Sequence, residues 1–209
     1  MFVVNIIIKR QKMLEILQYD FIQNALIAGV LISIAAGIIG SLVVVNKITF
    51  LTGGIAHSSY GGIGLAIYMG IPVLFGATVF AVLTAILIAI ITLKNRTRID
   101  AIIGMMWASG MAIGIIFVDL TPGYNVDLMS YLFGSIIAVS REDLIYMSVL
   151  DVFIISIVVF FYKQILAVSY DSEFASLRGI NVKFFYTLIL ILAALCVVAA
   201  IKAVGLILV

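Results

Sequence analysis

Long apolar runs broken by short polar clusters set the pattern of this chain. A helix needs roughly 20 mostly apolar residues to cross about 30 Å of hydrocarbon. Six runs have that length or come close to it: 21–45, closed by Asn46 and Lys47; 52–69, before Gly70 and Pro72; 73–93, ended by KNRTR; 99–118, ended by DLTPGYN; 144–166; and 184–201. A seventh, 203–209, begins without a polar stop or cap, so the chain is expected to end inside a span, as a piece of a longer protein. Between the fourth and fifth runs, DLMSYLFGSIIAVSRED is apolar but too short to cross, and it predicts a re-entrant or interfacial external helix. The pattern predicts an all-α, polytopic transmembrane bundle. It has about six complete spans and the start of a seventh, forming one domain over 21–209 after a tail or interfacial segment, 1–20.

Composition agrees. Of 209 residues, 65% are hydrophobic and 11% charged, where a soluble domain is about half apolar and a quarter charged. A net charge of +2, scattered in short loops, gives no surface for nucleic acid. The opening MFVVNIIIKRQK puts its charges after the apolar stretch, the reverse of a secretory signal. Lysine and arginine set the orientation. Lys47, then Lys94, Arg96 and Arg98, then Lys163, Arg178 and Lys183 follow spans one, three and five, against Arg141 and Lys202 opposite. Loops after odd spans are therefore placed in the cytoplasm. Lys9, Arg10 and Lys12 run against this, and a start at Met13 would remove the conflict. Small residues at intervals of four (Gly29, Ser33, Gly37 and Ser41; Gly62 and Ala66; Gly110 and Gly114) predict close helix seams. Cys196, the single cysteine, reads as a core residue.

Candidate chemistry is sparse. His57 is the one histidine, and positions three and four away on its helix are Gly53, Gly54, Tyr60 and Gly61. An intramembrane imidazole either lines a polar path, where it can ligate zinc, iron or manganese, or bonds to a neighbouring helix. Asp119 and Asp127 flank an external segment and form either a cation-attracting mouth or ordinary caps; Asp127 and Ser140 read as helix starts. Asp151 lies inside the fifth span and calls for a partner on another helix or a bound proton. The cytoplasmic stretch SYDSEFASLRGINVKFF predicts a short helix from Asp171 or Ser172 to Gly179. The chain has no GxxxxGK[ST] loop, so it is not itself an ATP-hydrolysing enzyme.

Four stretches carry a family likeness: LTGGIAHSSYGGIGLA, RIDAIIGMMWASGMAIGIIF, DLMSYLFGSIIAVSREDL, and YDSEFASLRGI running on to AAIKAVGLILV. In order and spacing they resemble the permease subunits of metal-type ABC importers, which move zinc, manganese or iron. The spacing of Glu173, Ala175 and Gly179 also resembles the E-A-A-x-x-x-G coupling loop of ABC importers. The resemblance implies a lipid-embedded plasma-membrane importer working by alternating access. It implies a second permease copy, cytoplasmic ATPase subunits that hold the ATP, and an extracellular metal-binding protein. The metal would be cargo, with no resident cofactor. It assigns ATPase coupling to Asp171, Glu173, Phe174, Ala175 and Gly179, and the metal path to His57. Many relatives carry an aspartate four residues before that histidine; here it is Gly53. Competing readings are an importer of metal chelates or cobalamin-like molecules, which needs no ligating side chain, an ion-driven carrier using Asp151, and a membrane scaffold.

Overall fold

The computed structural model describes residues 18–94, 99–122 and 132–206. Among them are eight α-helices and no strand: α1 (Asp20–Val45), α2 (Thr49–Met69), α3 (Val73–Lys94), α4 (Ile99–Asp119), α5 (Arg141–Phe160), α6 (Tyr162–Tyr170), α7 (Ser172–Leu177) and α8 (Val182–Val204), with a 3-10 turn at Ile136–Ala138. Helices α1, α3, α4, α5 and α8 are long and apolar enough to cross a membrane.

Helix α2 is as long as a span, at 21 residues, but its histidine, hydroxyls and glycines make it less apolar. It lies inside the bundle, packed against α3, α4 and α8. Its buried hydroxyls are satisfied within the helix: Ser58 Oγ donates to the Ile55 carbonyl and Ser59 Oγ to that of Ala56. This internal bonding removes much of the cost of a bare hydroxyl in a dry bundle. Helix α8 is the other interior element and touches α1, α2, α3, α5, α6 and α7.

Glycine lets α2 approach its neighbours. A Cβ on Gly110 would sit 2.5 Å from the Ser58 Cα, and one on Gly114 would sit 2.5 Å from the Tyr60 carbonyl oxygen. Gly62 meets Gly76 and Phe80 of α3 in the same way. The expected α2 and α4 seams are therefore present. The stripe on α1 is not a seam among the described residues: nothing lies within 4 Å of a Cβ built on Gly37, and Ser33 and Ser41 bond back to carbonyls of their own helix. Two substitutions separate these cases. Gly114→Ala must displace backbone and is expected to destabilise by about 1–3 kcal/mol. Gly37→Ala should be neutral or gain roughly 0.5–1 kcal/mol of helix propensity. Unfolding midpoints of the two purified variants check both signs.

Three boundaries differ from the sequence reading. The fifth run, 144–166, is not one helix: it breaks at Phe161 (φ −102°, ψ 18°) between α5 and α6. There the Phe161 ring turns onto Phe185 of α8, with centroids 5.5 Å apart. The seventh span does not start at Ala203, because α8 continues through Lys202 to Val204. Lys202 stays in the helix beside Asp143, Nζ to Oδ2 3.9 Å, so it does not act as a stop. The external segment is not a continuous helix over its described part. It turns at Gly134 (φ 69°), packs on Val204 and Gly205, and donates the Ser135 N–H to the Lys202 carbonyl. Helix α5 then starts where Ser140 predicted, with a capping box between Ser140 and Asp143. Asp127 lies outside the described residues.

Candidate metal path and coupling surface

His57 sits midway along α2, half-buried, with its ring laid flat on Trp107 of α4; the centroids are 4.0 Å apart and the planes differ by 5°. Phe50 adds a tilted ring 6.4 Å from Trp107. The imidazole Nδ1 is buried and has no hydrogen-bond partner. A histidine serving only to tie two helices together would spend that nitrogen on a bond, and this one does not.

The glycines around it divide into two kinds. Gly54 packs on Ile103, and Gly61 on Phe80 and the Gly110 carbonyl, so these two serve helix contact. Gly53, and Gly104 on α4, have nothing within 4 Å of a built Cβ. Tyr60, read as sharing the face of His57, is 4% exposed and packs against Gly114. The open neighbour of His57 on its own helix is therefore Gly53.

The carboxylates are not gathered here. Asp119 ends α4 twelve residues beyond Trp107, about 18 Å along the axis at 1.5 Å per residue. Asp143 is occupied by Ser140 and Lys202. Asp151 is 3% exposed, and neither carboxylate oxygen has a hydrogen-bond partner, so of the two expectations the partner on another helix is absent among the described residues. No group of three or more His, Cys, Asp or Glu that could hold a metal occurs among the described residues.

At the other end of the molecule, the predicted short helix is α7. The Asp171 carboxylate accepts the N–H groups of Glu173 and Phe174 at 3.0 and 2.9 Å. Gly179 (φ 78°) stops the helix in a left-handed turn, with the Ile180 N–H returning to the Ala175 carbonyl. Ala175 is fully buried. Asp171, Ala175 and Gly179 therefore hold the helix in place. Its outer face is formed by Phe174, 49% exposed, and Leu177, 87% exposed, with the Arg178 guanidinium 4.9 Å from the Phe174 ring centre.

Trp107 and Leu177 lie outside the residues to which the sequence points. Leu177 was findable, since it lies three residues after Phe174 and shares its face. Trp107 was not, because its meeting with His57 depends on the register between two helices.

The model of the ABC 3 transport family matches residues 18–209, and the chain belongs to that family. An uncharacterised membrane protein of Synechocystis is 45% identical over 199 residues, covering 95% of this chain and 71% of that protein. A probable metal transport system membrane protein of Chlamydia trachomatis is 41% identical, over 84% of this chain and 62% of its own length. The manganese transport system membrane protein MntC of Listeria monocytogenes is 33% identical, over 93% and 69%. Among solved structures, PsaBC from Streptococcus pneumoniae in complex with Fab superposes with a TM-score of 0.82 at 31% identity, over 95% of this chain and 72% of that one. The chain thus spans 62 to 71% of the length of these first relatives. It is a multi-pass protein of the plasma membrane.

Proposed function

We propose that this chain is the membrane-spanning permease part of an ATP-binding-cassette importer for a divalent transition metal: manganese, zinc or iron. The observation that carries the reading is His57, an imidazole whose buried Nδ1 has no hydrogen-bond partner, one helical turn from the open position at Gly53. Polar groups at membrane depth are costly and mark paths. A single imidazole offers one ligand, which suits a cation that must bind and leave; further ligands would come from a second permease copy or from the rest of the protein. Helix α2 would cross the membrane as a sixth, interior span, inside one permease domain over 21–209. The names of the manganese and metal transport relatives support the substrate class.

In this reading a cytoplasmic ATPase grips the outer face of α7, and ATP-driven closure moves α7 together with α6 and α8, which it touches. The bundle then exchanges between outward- and inward-open states, with an extracellular binding protein supplying the metal. Asp119 and Asp127 belong to the outer mouth.

The test is uptake by proteoliposomes holding the full-length permease and its ATPase. ATP-dependent accumulation of manganese, zinc or iron is the expected result. Accumulation of a chelate or cobalamin-like molecule, and of no free ion, would replace this reading with the chelate importer. Asp151→Asn is expected to leave uptake intact, because ATP and not a proton gradient supplies the work. Loss of uptake in Asp151→Asn, with wild-type uptake driven by a pH gradient without ATP, would point to an ion-driven carrier.

A further inference from the structure

Trp107, the single tryptophan of the chain, lies flat on its single histidine. The bundle does not need this contact to hold α2 against α4. The two helices already meet at backbone distance where Gly110 receives Ser58 and Gly114 receives Tyr60, and Ile103 packs at Gly54. Both rings are half-buried and stand outside the fully buried core. The pair is also the most parallel of its kind. The other aromatic pairs among the described residues are inclined by 28° to 86°, with centroids 4.7 Å or more apart, against 5° and 4.0 Å here.

The contact acts on the one side chain that the metal reading depends on. A ligating histidine is ordinarily oriented by a hydrogen bond to its second ring nitrogen. The Nδ1 of His57 has no such bond, so the indole is what sets the plane of the ring. Trp107 is in turn held by α2 at a second point. Phe50, two turns before His57 and about 10 Å away along the axis at 1.5 Å per residue, rests a ring 6.4 Å from the indole.

A stacked face leaves metal chemistry free. The lone pairs of an imidazole lie in the plane of its ring, so an indole on one face blocks neither nitrogen. It also favours the loaded ring. An imidazole bound to a divalent cation is poor in electrons, and the face of indole attracts such a ring more than that of any other aromatic side chain. The covered and open sides of α2 divide at the same place. Gly54 is filled by Ile103, whereas Gly53 and, on α4, Gly104 have nothing within 4 Å of a built Cβ. His57 stands one turn further on, with one ring face committed to α4.

We propose that Trp107 is a positioning residue of the metal path: its indole braces the His57 imidazole in one plane and holds the metal-loaded ring more strongly than the empty one. The inference rests on the reading of His57 as a metal ligand and gives Trp107 no contact with the ion. Because the indole belongs to α4, loading of an α2 side chain is felt by a second helix.

The experiment measures binding of manganese, zinc and iron(II) to the full-length permease–ATPase complex in detergent, for wild type, Trp107→Phe, Trp107→Leu and His57→Ala. Phenylalanine keeps an aromatic face against the imidazole; leucine keeps apolar bulk without one. Trp107→Leu is expected to weaken binding by about tenfold, as the loss of an orienting partner does, and Trp107→Phe by no more than about threefold. Added to His57→Ala, Trp107→Leu should cost nothing further. The indole gives a second readout. The emission that disappears in Trp107→Phe belongs to Trp107, and it should change at the metal concentration that half-saturates binding, but not in His57→Ala. Should Trp107→Leu fail to fold, this response decides alone. Equal binding by the Phe and Leu variants overturns the inference, as does metal binding that leaves Trp107 emission unchanged. If His57→Ala has lost binding in that case, the metal path itself stands. Unchanged binding in His57→Ala, or none in wild type, removes the metal reading and this inference with it.

Discussion

Leu177→Asp is expected to reduce ATP-driven uptake by about tenfold or more while the permease remains folded and inserted. Leu177 is 87% exposed and packs on nothing that the bundle needs, so a charge there has little effect on the fold. Its place beside Phe174 gives a six-residue helix an apolar tip. Fully burying a leucine side chain is worth about 1.5–3 kcal/mol, and the lower end of that range already corresponds to a tenfold loss. Ala175 makes the contrast. It was read from the sequence as a coupling residue, but it is buried against the molecule's own helices, so Ala175→Leu should fail by destabilising α7. Co-purification of the ATPase with each variant, beside uptake, distinguishes the two causes. A Leu177→Asp protein that retains its ATPase and transports normally would remove the outer face of α7 as the docking surface.

How much of this was legible follows from how each feature is encoded. The ends of α1, α3 and α4 fall within a residue or two of the sequence reading, because apolar runs end sharply at Asn46, KNRTR and DLTPGYN. Helix α2 was found by length and by its stops, Gly70 and Pro72, although it is less apolar than a usual span. The break at Phe161 is hidden in the sequence, since no proline or glycine marks it; the packing of Phe161 on Phe185 that accompanies it is a tertiary contact. Lys202 reads as a stop in the sequence because its ion-pair partner, Asp143, is distant along the chain. The α1 stripe shows the reverse failure: spacing advertises a seam but cannot say which helix fills it. The site was half legible for the same reason. His57 and the Gly110–Gly114 pair were visible, but only the α2–α4 register brings Trp107 over the imidazole.

The sharpest test of His57 is to restore a charge beside it. His57→Ala removes the proposed ligand of the path and is expected to cut metal uptake by about tenfold or more, the scale on which metal sites respond to losses even around their ligands. That loss alone could come from a misplaced Trp107, so a gain is needed as well. Gly53 is one helical turn before His57 and has room for a side chain, with nothing within 4 Å of a built Cβ. Gly53→Asp would put a carboxylate on the face of the imidazole, joining oxygen to nitrogen as ligands for manganese or zinc. Binding in detergent is expected to tighten by roughly tenfold, about 1.4 kcal/mol. Turnover should fall, because an ion held more tightly leaves more slowly. The double variant decides between the causes. If the two side chains share one ion, the gain from Asp at 53 disappears when His57 is alanine, a coupling that independent sites do not show. An equal gain in both backgrounds would mean that the new carboxylate acts alone, and His57 would then belong to the packing of α2 on α4 rather than to the path.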